Sequence, residues 1–158
     1  MKKFEFTGET KTISLFFRTA TLHRIRAVAE FGLVKIGDLG GWIEKEENLS
    51  HEGKAWVCGD AEVWGNAEVC GDAEVFSASH VLVIGAIGSR DDFTTFFRDK
   101  DNEITVKCGC FLGKIDKFLE KVTQTHGDSK YALVYRAAVE VARLQIDLSG
   151  EAPKDADE

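Results

Sequence analysis

From Trp56 to Ala73 the chain writes one six-residue unit three times, as WVCGDA, EVWGNA and EVCGDA, with no insertion. Valine returns at every sixth position, at Val57, Val63, Val69 and Val75, and alanine follows four residues later at Ala61, Ala67 and Ala73. Within each unit the side chains alternate, which is the period of a strand. The alternation breaks at Gly59-Asp60, Gly65-Asn66 and Gly71-Asp72. These dipeptides suit turns, because glycine enters positive φ freely and Asp or Asn bonds its own backbone. A short strand and a bend every six residues predict a coil of three units per turn, with residue i stacked on i+18. The rule places Val57 on Val75, Val63 on Val81 and Val69 on Ile87. It also places Ala73 on Asp91, and a buried unpaired charge is costly, so the regular part is expected to end near Ser89. Read backward, Val63 maps to Lys45 and Val69 to His51, so the register breaks between Leu39 and Ala55.

The other segments have more ordinary periods. FEFTG, TISLFFR and LHRIRAVAEF predict strands near the amino terminus. DFTTFFR, DKDN and EITVKCGCFLG predict a hairpin turning at Asp99–Asn102. Phe93, Thr95 and Phe97 fall on one face of its first strand, and Thr94, Phe96 and Arg98 on the other. Ile115, Phe118, Leu119 and Val122 form the apolar stripe of a helix. His126-Gly127 ends that helix, and Asp128 is placed to cap the next. The second helix runs through Tyr131, Val134, Tyr135, Ala138, Val141, Ala142 and Leu144, an apolar band broad enough for two packing partners or a neighbouring chain. SGEAPKDADE is polar, acidic and reads as a disordered tail. The organisation expected is amino-terminal strands over 1–37, the coil with an irregular leading turn over 38–89, a hairpin plus two-helix lobe over 90–148, and the tail over 149–158.

The units WVCGDA, EVWGNA and EVCGDA resemble the hexapeptide pattern of left-handed β-helix proteins, an aliphatic residue followed four later by a small one. The resemblance implies a mainly β fold: a short left-handed β-helix flanked by amino-terminal strands and a carboxy-terminal α+β portion of hairpin and two helices. The position after the aliphatic residue is usually small in that family. Here it holds Cys58, Trp64, Cys70 and Phe76, beside Glu62, Glu68 and Glu74, which reads as a wall meant to be covered. Many hexapeptide-repeat proteins are trimeric acyltransferases with a histidine base at the subunit interface. The corresponding candidate is His80, stacked by the period above Glu62 and Glu44 and oriented by a carboxylate as a general base. The loop excursion that presents such a histidine is not evident, and a surface His–Glu pair is the plainer reading. A second resemblance rests on GDLGGWIEKEENLSHEG and GSRDDFTTFFRDKDNEITVKCGCFLG. Over about Leu22 to Ile146 the chain is similar to small accessory proteins of phages and prophages. That implies a setting, the bacterial host cytoplasm, and action by binding, including against host defence.

Composition narrows the function further. The chain has 158 residues, 44% of them hydrophobic, enough for one core. Its net charge of -7 argues against direct nucleic-acid binding, which needs a basic surface, and suits a protein partner with a basic face. No apolar run approaches the ~20 residues of a membrane span, and MKKFEFTGETK lacks the apolar segment of a signal peptide. Cys58, Cys70, Cys108 and Cys110 lack zinc-site spacing and read as reduced thiols, so no metal and no cofactor is expected. The best small-molecule candidate is Ser89, Arg90, Asp92, Thr94 and Arg98. Its hydroxyls between two arginines suit a small anion such as a phosphate, with phenylalanines among them to stack on a base. The bland alternative is a charged turn entering a strand, with threonines chosen for β propensity. Trp56, Glu62, Trp64, Glu68 and Phe76 form the candidate interface, toward a homo-oligomer (dimer or trimer) or a host protein. The function expected is a non-enzymatic binding protein of phage or prophage type. It would block a host protein complex or sequester a small anionic, nucleotide-like ligand. The alternatives are an acyltransferase-like enzyme using His80 and Glu62, and a structural oligomerisation module.

Overall fold

The structure, a computed structural model, describes residues 1–149. Strands β1 (Phe4–Ser14) and β2 (Thr19–Ala27) form a long antiparallel hairpin with a register shift between Phe6 and Thr10. β2 continues antiparallel to β3 (Leu39–Ile43), the last sheet partner before the repeats. The repeats contribute β4 (Trp56–Val57), β5 (Glu62–Val63) and β6 (Glu74–Val75), each two residues long. β5 adds in parallel to β3, closing the order β1-β2-β3-β5, while β4 and β6 pair only with each other. A four-stranded antiparallel meander follows, made of β7 (Val81–Ile87), β8 (Asp92–Arg98), β9 (Ile104–Cys108) and β10 (Phe111–Lys114). Helices α1 (Ile115–His126) and α2 (Lys130–Gln145) follow.

Among the described residues the expected left-handed β-helix is not present. The sheets are a mixed four-stranded one, a parallel pair and an antiparallel four-stranded one, and none closes on itself or stacks into a solenoid. The predicted offset of eighteen occurs at Val57↔Val75. Val63 pairs instead with Ile43, and Val69 bridges Leu49, each an offset of twenty. Residues 81–87, expected to continue the coil, form β7, where Val81 lies opposite Phe97 and not over Val63. The physical reason is backbone satisfaction. A seven-residue strand laid against β8 pairs more N–H and C=O groups than another two-residue rung would.

The side-chain alternation survives inside this different sheet arrangement. Val57, Val63, Val69 and Val75 are buried together with Ala55, Ala61, Ala67 and Ala73, around Phe4, Ile25, Ile43 and Phe97. The β3 backbone comes so close to the repeats that a Cβ on Gly41 would lie 2.6 Å from the Ala61 carbonyl oxygen. Asn48 replaces a rung at the open side, its amide donating to the carbonyls of Gly65 and Ala67 at 3.1 and 2.9 Å. A second buried cluster joins Phe96, Ile104 and Val106 to Ile115, Phe118 and Val122 of α1 and to Tyr135, Ala138, Val139 and Ala142 of α2. β8 separates the clusters, because neighbouring side chains of a strand point to opposite faces.

The hairpin turn falls where the polar run DKDN predicts it. Asp99 Oδ1 accepts the amides of Asp101 and Glu103, and its Oδ2 accepts the Thr105 hydroxyl at 2.7 Å. The Lys100 amide donates to the Asp72 carbonyl at 3.0 Å, tying this turn to the third repeat. α1 buries Ile115, Phe118 and Val122 and ends at Gly127, with φ 58°. The cap of α2 is Ser129 and not Asp128, because the Ser129 amide turns back onto the His126 carbonyl and delays the helix by one residue. Of the expected disordered tail 149–158, all but Ser149 lies outside the described residues. Among the described residues no helix is long and apolar enough to cross a membrane.

Candidate functional site

Two turns and two helices meet where the meander faces the helices: the turn between β7 and β8, the turn between β9 and β10, and the facing sides of α1 and α2. They enclose a cleft of about 190 Å³. Ser89, Arg90 and Asp92 line it from the first turn, Cys108, Cys110 and Phe111 from the second, and Phe118, Lys121, His126 and Tyr135 from the helices. The first turn can sit there only because residue 88 is glycine. Gly88 has φ 79°, and a Cβ on it would lie 1.9 Å from the Tyr135 hydroxyl oxygen.

The floor of the cleft is aromatic. Phe118 meets Tyr135 edge-on at 5.7 Å, and His126 stacks on Tyr135 at 5.7 Å and 26°. Phe118 is itself held edge-on by Phe96 and tilted against Phe111. Burial, with the Cys108 thiol as neighbour and hydrogen-bond partner and Asp92 nearby, pushes the Tyr135 phenol up to about 12, Arg90 opposing. The phenol therefore stays protonated at neutral pH, with its hydroxyl bonded to Cys108. The Thr94 hydroxyl donates to Cys108 Sγ at 3.3 Å, so Thr94, Cys108 and Tyr135 form one polar chain beneath the cleft.

The rim is cationic. Arg90 and Lys121 are exposed, and His126 sits in the last turn of α1. Among the described residues neither Arg90 nor Lys121 is in an ion pair. Such a site can clamp an anionic group at the rim and stack a flat ring on the floor. Among the described residues no three His, Cys, Asp or Glu side chains are grouped to hold a metal ion.

Only part of the predicted anion cluster converges. Ser89, Arg90 and Asp92 reach the cleft, and Thr94 lies buried under it. Arg98 sits at the far end of β8, roughly 20 Å along the strand. It is 4% exposed, its Nε donates to Asn102 at 2.7 Å, and its guanidinium lies 5.3 Å from the Phe76 ring centre. Among the described residues Arg98 Nη1 finds no hydrogen-bond partner, although it is buried. The two arginines that frame the cluster in sequence therefore serve different places.

His80 and Glu62 are also engaged separately. Glu62 pairs with Lys11 at 2.8 Å, and Glu44 holds Arg18 and the Gly65 amide. His80 Nδ1 accepts the Phe76 amide at 3.0 Å. Burial and the Arg98 charge hold its pKa below the ordinary value, with Asp147 opposing. Of the expected interface residues, Trp56 is buried edge-on against Phe31, Phe76 is half-buried and Trp64 is 39% exposed. Glu68 opens into a second cleft, of about 610 Å³, with Glu46, Glu47, His51, Cys70, Asp92 and Lys107. There the His51 ring stacks on Phe4 at 4.1 Å and accepts the Lys3 amide, and its Nε2 lies 3.8 Å from Glu46. The Lys3 amine behind it donates to the Ala55 carbonyl at 2.6 Å, and burial lowers its pKa to about 8, the charge of Cys70 opposing.

Phe111, Phe118, Lys121, His126 and Tyr135 are site residues that the sequence does not single out as such: Phe111 falls in the hairpin, Phe118 and Tyr135 in apolar helix stripes and His126 at a helix end. The available signal was weak: a cationic side chain, Lys121, on the exposed side of an otherwise core-facing helix, five residues before a terminal histidine. Compared with family models and with curated proteins, the chain matches none.

Proposed function

We propose that the protein is a non-enzymatic binding protein that captures a small anionic, nucleotide-like ligand in the cleft between the β7–β8 turn and the helices. The observation that carries the reading is the pairing of Arg90 and Lys121, neither in an ion pair, with a floor of Phe118, Tyr135 and His126. Arg90 offers a planar fork to a phosphate and Lys121 a point charge. A flat ring stacks on His126, and the Ser89 hydroxyl bonds its edge. A cleft of about 190 Å³ is smaller than the ~300–1,000 Å³ of a pocket that engulfs a whole ligand, so it grips one ring and one phosphate and leaves the rest outside. Binding without turnover fits the chemistry, since the Cys108 thiol is tied to Thr94 and Tyr135. The likeness to phage and prophage accessory proteins supplies the setting: the bacterial cytoplasm, where removal of a nucleotide signal by mass action would blunt a host defence.

Calorimetric titration with mononucleotides and cyclic dinucleotides tests this directly. Saturable binding is expected. Arg90→Ala and Lys121→Ala should each weaken it about 10- to 100-fold, the loss of one charge-assisted contact of roughly 1.5–3 kcal/mol. Arg98→Ala should leave affinity unchanged. If no nucleotide or phosphate binds, or if binding survives both rim substitutions, the reading fails.

A second reading, occupation of a host protein by the larger cleft, is favoured by its charge. Glu46, Glu47, Glu68 and Asp92 face it against Lys107 and His51, an arrangement that attracts a basic surface. Charge reversal at Glu47 and Glu68 should then abolish partner binding and leave nucleotide binding intact.

A further inference from the structure

Cys108 and Cys110 stand on either side of Gly109 in the turn between β9 and β10, and both line the cleft. Cys108 lies opposite Phe111 across the turn, so Gly109 and Cys110 form its corner. Gly109 takes φ 56°, with nothing within 4 Å of where a Cβ would sit. The Lys107 amine donates to the Gly109 carbonyl and holds the corner. Two residues span at most about 7 Å when extended, and less around a turn, against the roughly 4.4–6.8 Å between Cα atoms that a disulfide bridges. The two thiols differ in access. Cys110 is exposed, whereas Cys108 is half-buried, accepting the Thr94 hydroxyl at 3.3 Å and bonded to Tyr135.

We propose that Cys108 and Cys110 are a reversible dithiol switch, oxidised to a disulfide within the turn by small disulfides such as oxidised glutathione. The exposed Cys110 thiolate attacks one sulfur of the small disulfide and displaces one thiolate, leaving a mixed disulfide on Cys110. The Cys108 thiolate then attacks Cys110 Sγ and displaces the second. Two protein thiols give up two electrons and two protons, and the small disulfide becomes two thiols. A bridge closed over one intervening residue is strained, and strained or exposed disulfides are the readily reduced, regulatory ones, so a thiol pool resets the switch. The consequence reaches the floor of the cleft. Cys108 Sγ, drawn toward Cys110, leaves Thr94 and Tyr135, and the Tyr135 hydroxyl is released. Burial then remains as the chief influence holding the phenol pKa high, with the Cys108 charge and hydrogen bond gone. The switch changes the floor whichever ligand occupies the cleft.

Treatment of the folded full chain with excess oxidised glutathione, followed by intact mass and peptide mapping, tests the proposal. The free thiols should fall from four to two, with a mass lower by two hydrogens, a link between Cys108 and Cys110, and full reversal by dithiothreitol. Cys108→Ser should stop at the glutathione adduct on Cys110. Cys110→Ser, at an exposed position that leaves the fold intact, should slow loss of the Cys108 thiol about tenfold or more, because burial limits its access. Replacing Cys58 and Cys70 by Ser should leave the disulfide unchanged. The ring resonances of Tyr135 in NMR spectra should shift on oxidation, and Cys110→Ser should abolish that shift, a response that a bystander thiol pair would not give. A chain that keeps four thiols overturns the proposal. So does a link to Cys58, Cys70 or a second chain, or a disulfide that leaves Tyr135 unmoved.

Discussion

On one side of β8, Phe97 packs among the valines and alanines of the six-residue units; on the other, Phe96 packs against Phe118 of α1. The first core is made of small, regularly spaced side chains presented by two-residue strands. The second is made of a few large rings whose spacing follows no period. Regular repeats give close-packed walls, and their polar turns point away. The irregular side leaves a concavity where turns and helices meet, and there the cationic rim and aromatic floor come together. Periodicity in this protein supplies the support, and departure from periodicity supplies the site.

The sharpest way to break that comparison is to truncate the adjacent rings. Phe96→Ala and Phe97→Ala should each cost about 3–5 kcal/mol in denaturant unfolding, as for other buried phenylalanines. Under conditions where both variants remain folded, only Phe96→Ala should weaken nucleotide binding, because Phe96 supports Phe118. Equal effects on binding would mean that the two faces of β8 are not separable.

Lys3 gives the next largest effect, confined to the repeat side. Its amine titrates at about 8 in the folded protein against 10.5 for the ordinary group, owing first to burial. Between those values the unfolded chain binds more protons, so stability should rise as pH climbs from about 8 to about 10.5, by up to about 3 kcal/mol. Lys3→Met should abolish that rise in melts across the same range, while leaving the ligand cleft unaffected.

Two glycines then contrast the regions directly. Gly59→Ala places a side chain at φ 60° with nothing within 4 Å of its Cβ, and should cost about 1 kcal/mol, the strain of a left-handed residue alone. Gly88→Ala also drives a methyl into Tyr135, and should cost about 1–3 kcal/mol and abolish ligand binding as well. Chemical denaturation paired with titration calorimetry separates the two.

The smallest effect is at Glu44, where the Arg18 guanidinium, and then the Gly65 amide, hold the carboxyl below the usual carboxylate range. Its contribution is present above the unfolded carboxylate pKa and fades as pH falls through the depressed folded value. Glu44→Gln should therefore narrow the stability difference between pH 7 and acid, visible as a shallower loss of thermal midpoint.

Much of this is legible in the sequence. The alternation of Val57 to Val75 marked the buried positions, DKDN marked the hairpin turn, and the stripes at Ile115–Val122 and Tyr131–Leu144 marked both helices. The sheets were not legible, since a six-residue period states which side chains point inward and not which backbone each strand joins. Val63 could meet Val81 or Ile43 with the same buried face, and the longer antiparallel ladder of β7 on β8 decided between them. The candidate site was half visible. Ser89, Arg90 and Asp92 were read as a cluster from proximity in sequence, which holds along a turn. It fails along a strand, where each residue adds ~3.3 Å and carries Arg98 out of reach.

The sequence by itself determined the local facts: turns at Gly-Asp and Gly-Asn, the inward valines, the two amphipathic helices, and an acidic chain with an apolar outer stripe on its last helix. These depend on residues within one or two turns of each other, where spacing is geometry. Only the tertiary structure decided which strands share a sheet, and that Arg90, Lys121, His126 and Tyr135 stand around one cleft. Those residues span more than forty positions, and their meeting depends on how two helices pack across β8 and β9, a contact energy distributed over the whole core and written at no single place in the chain.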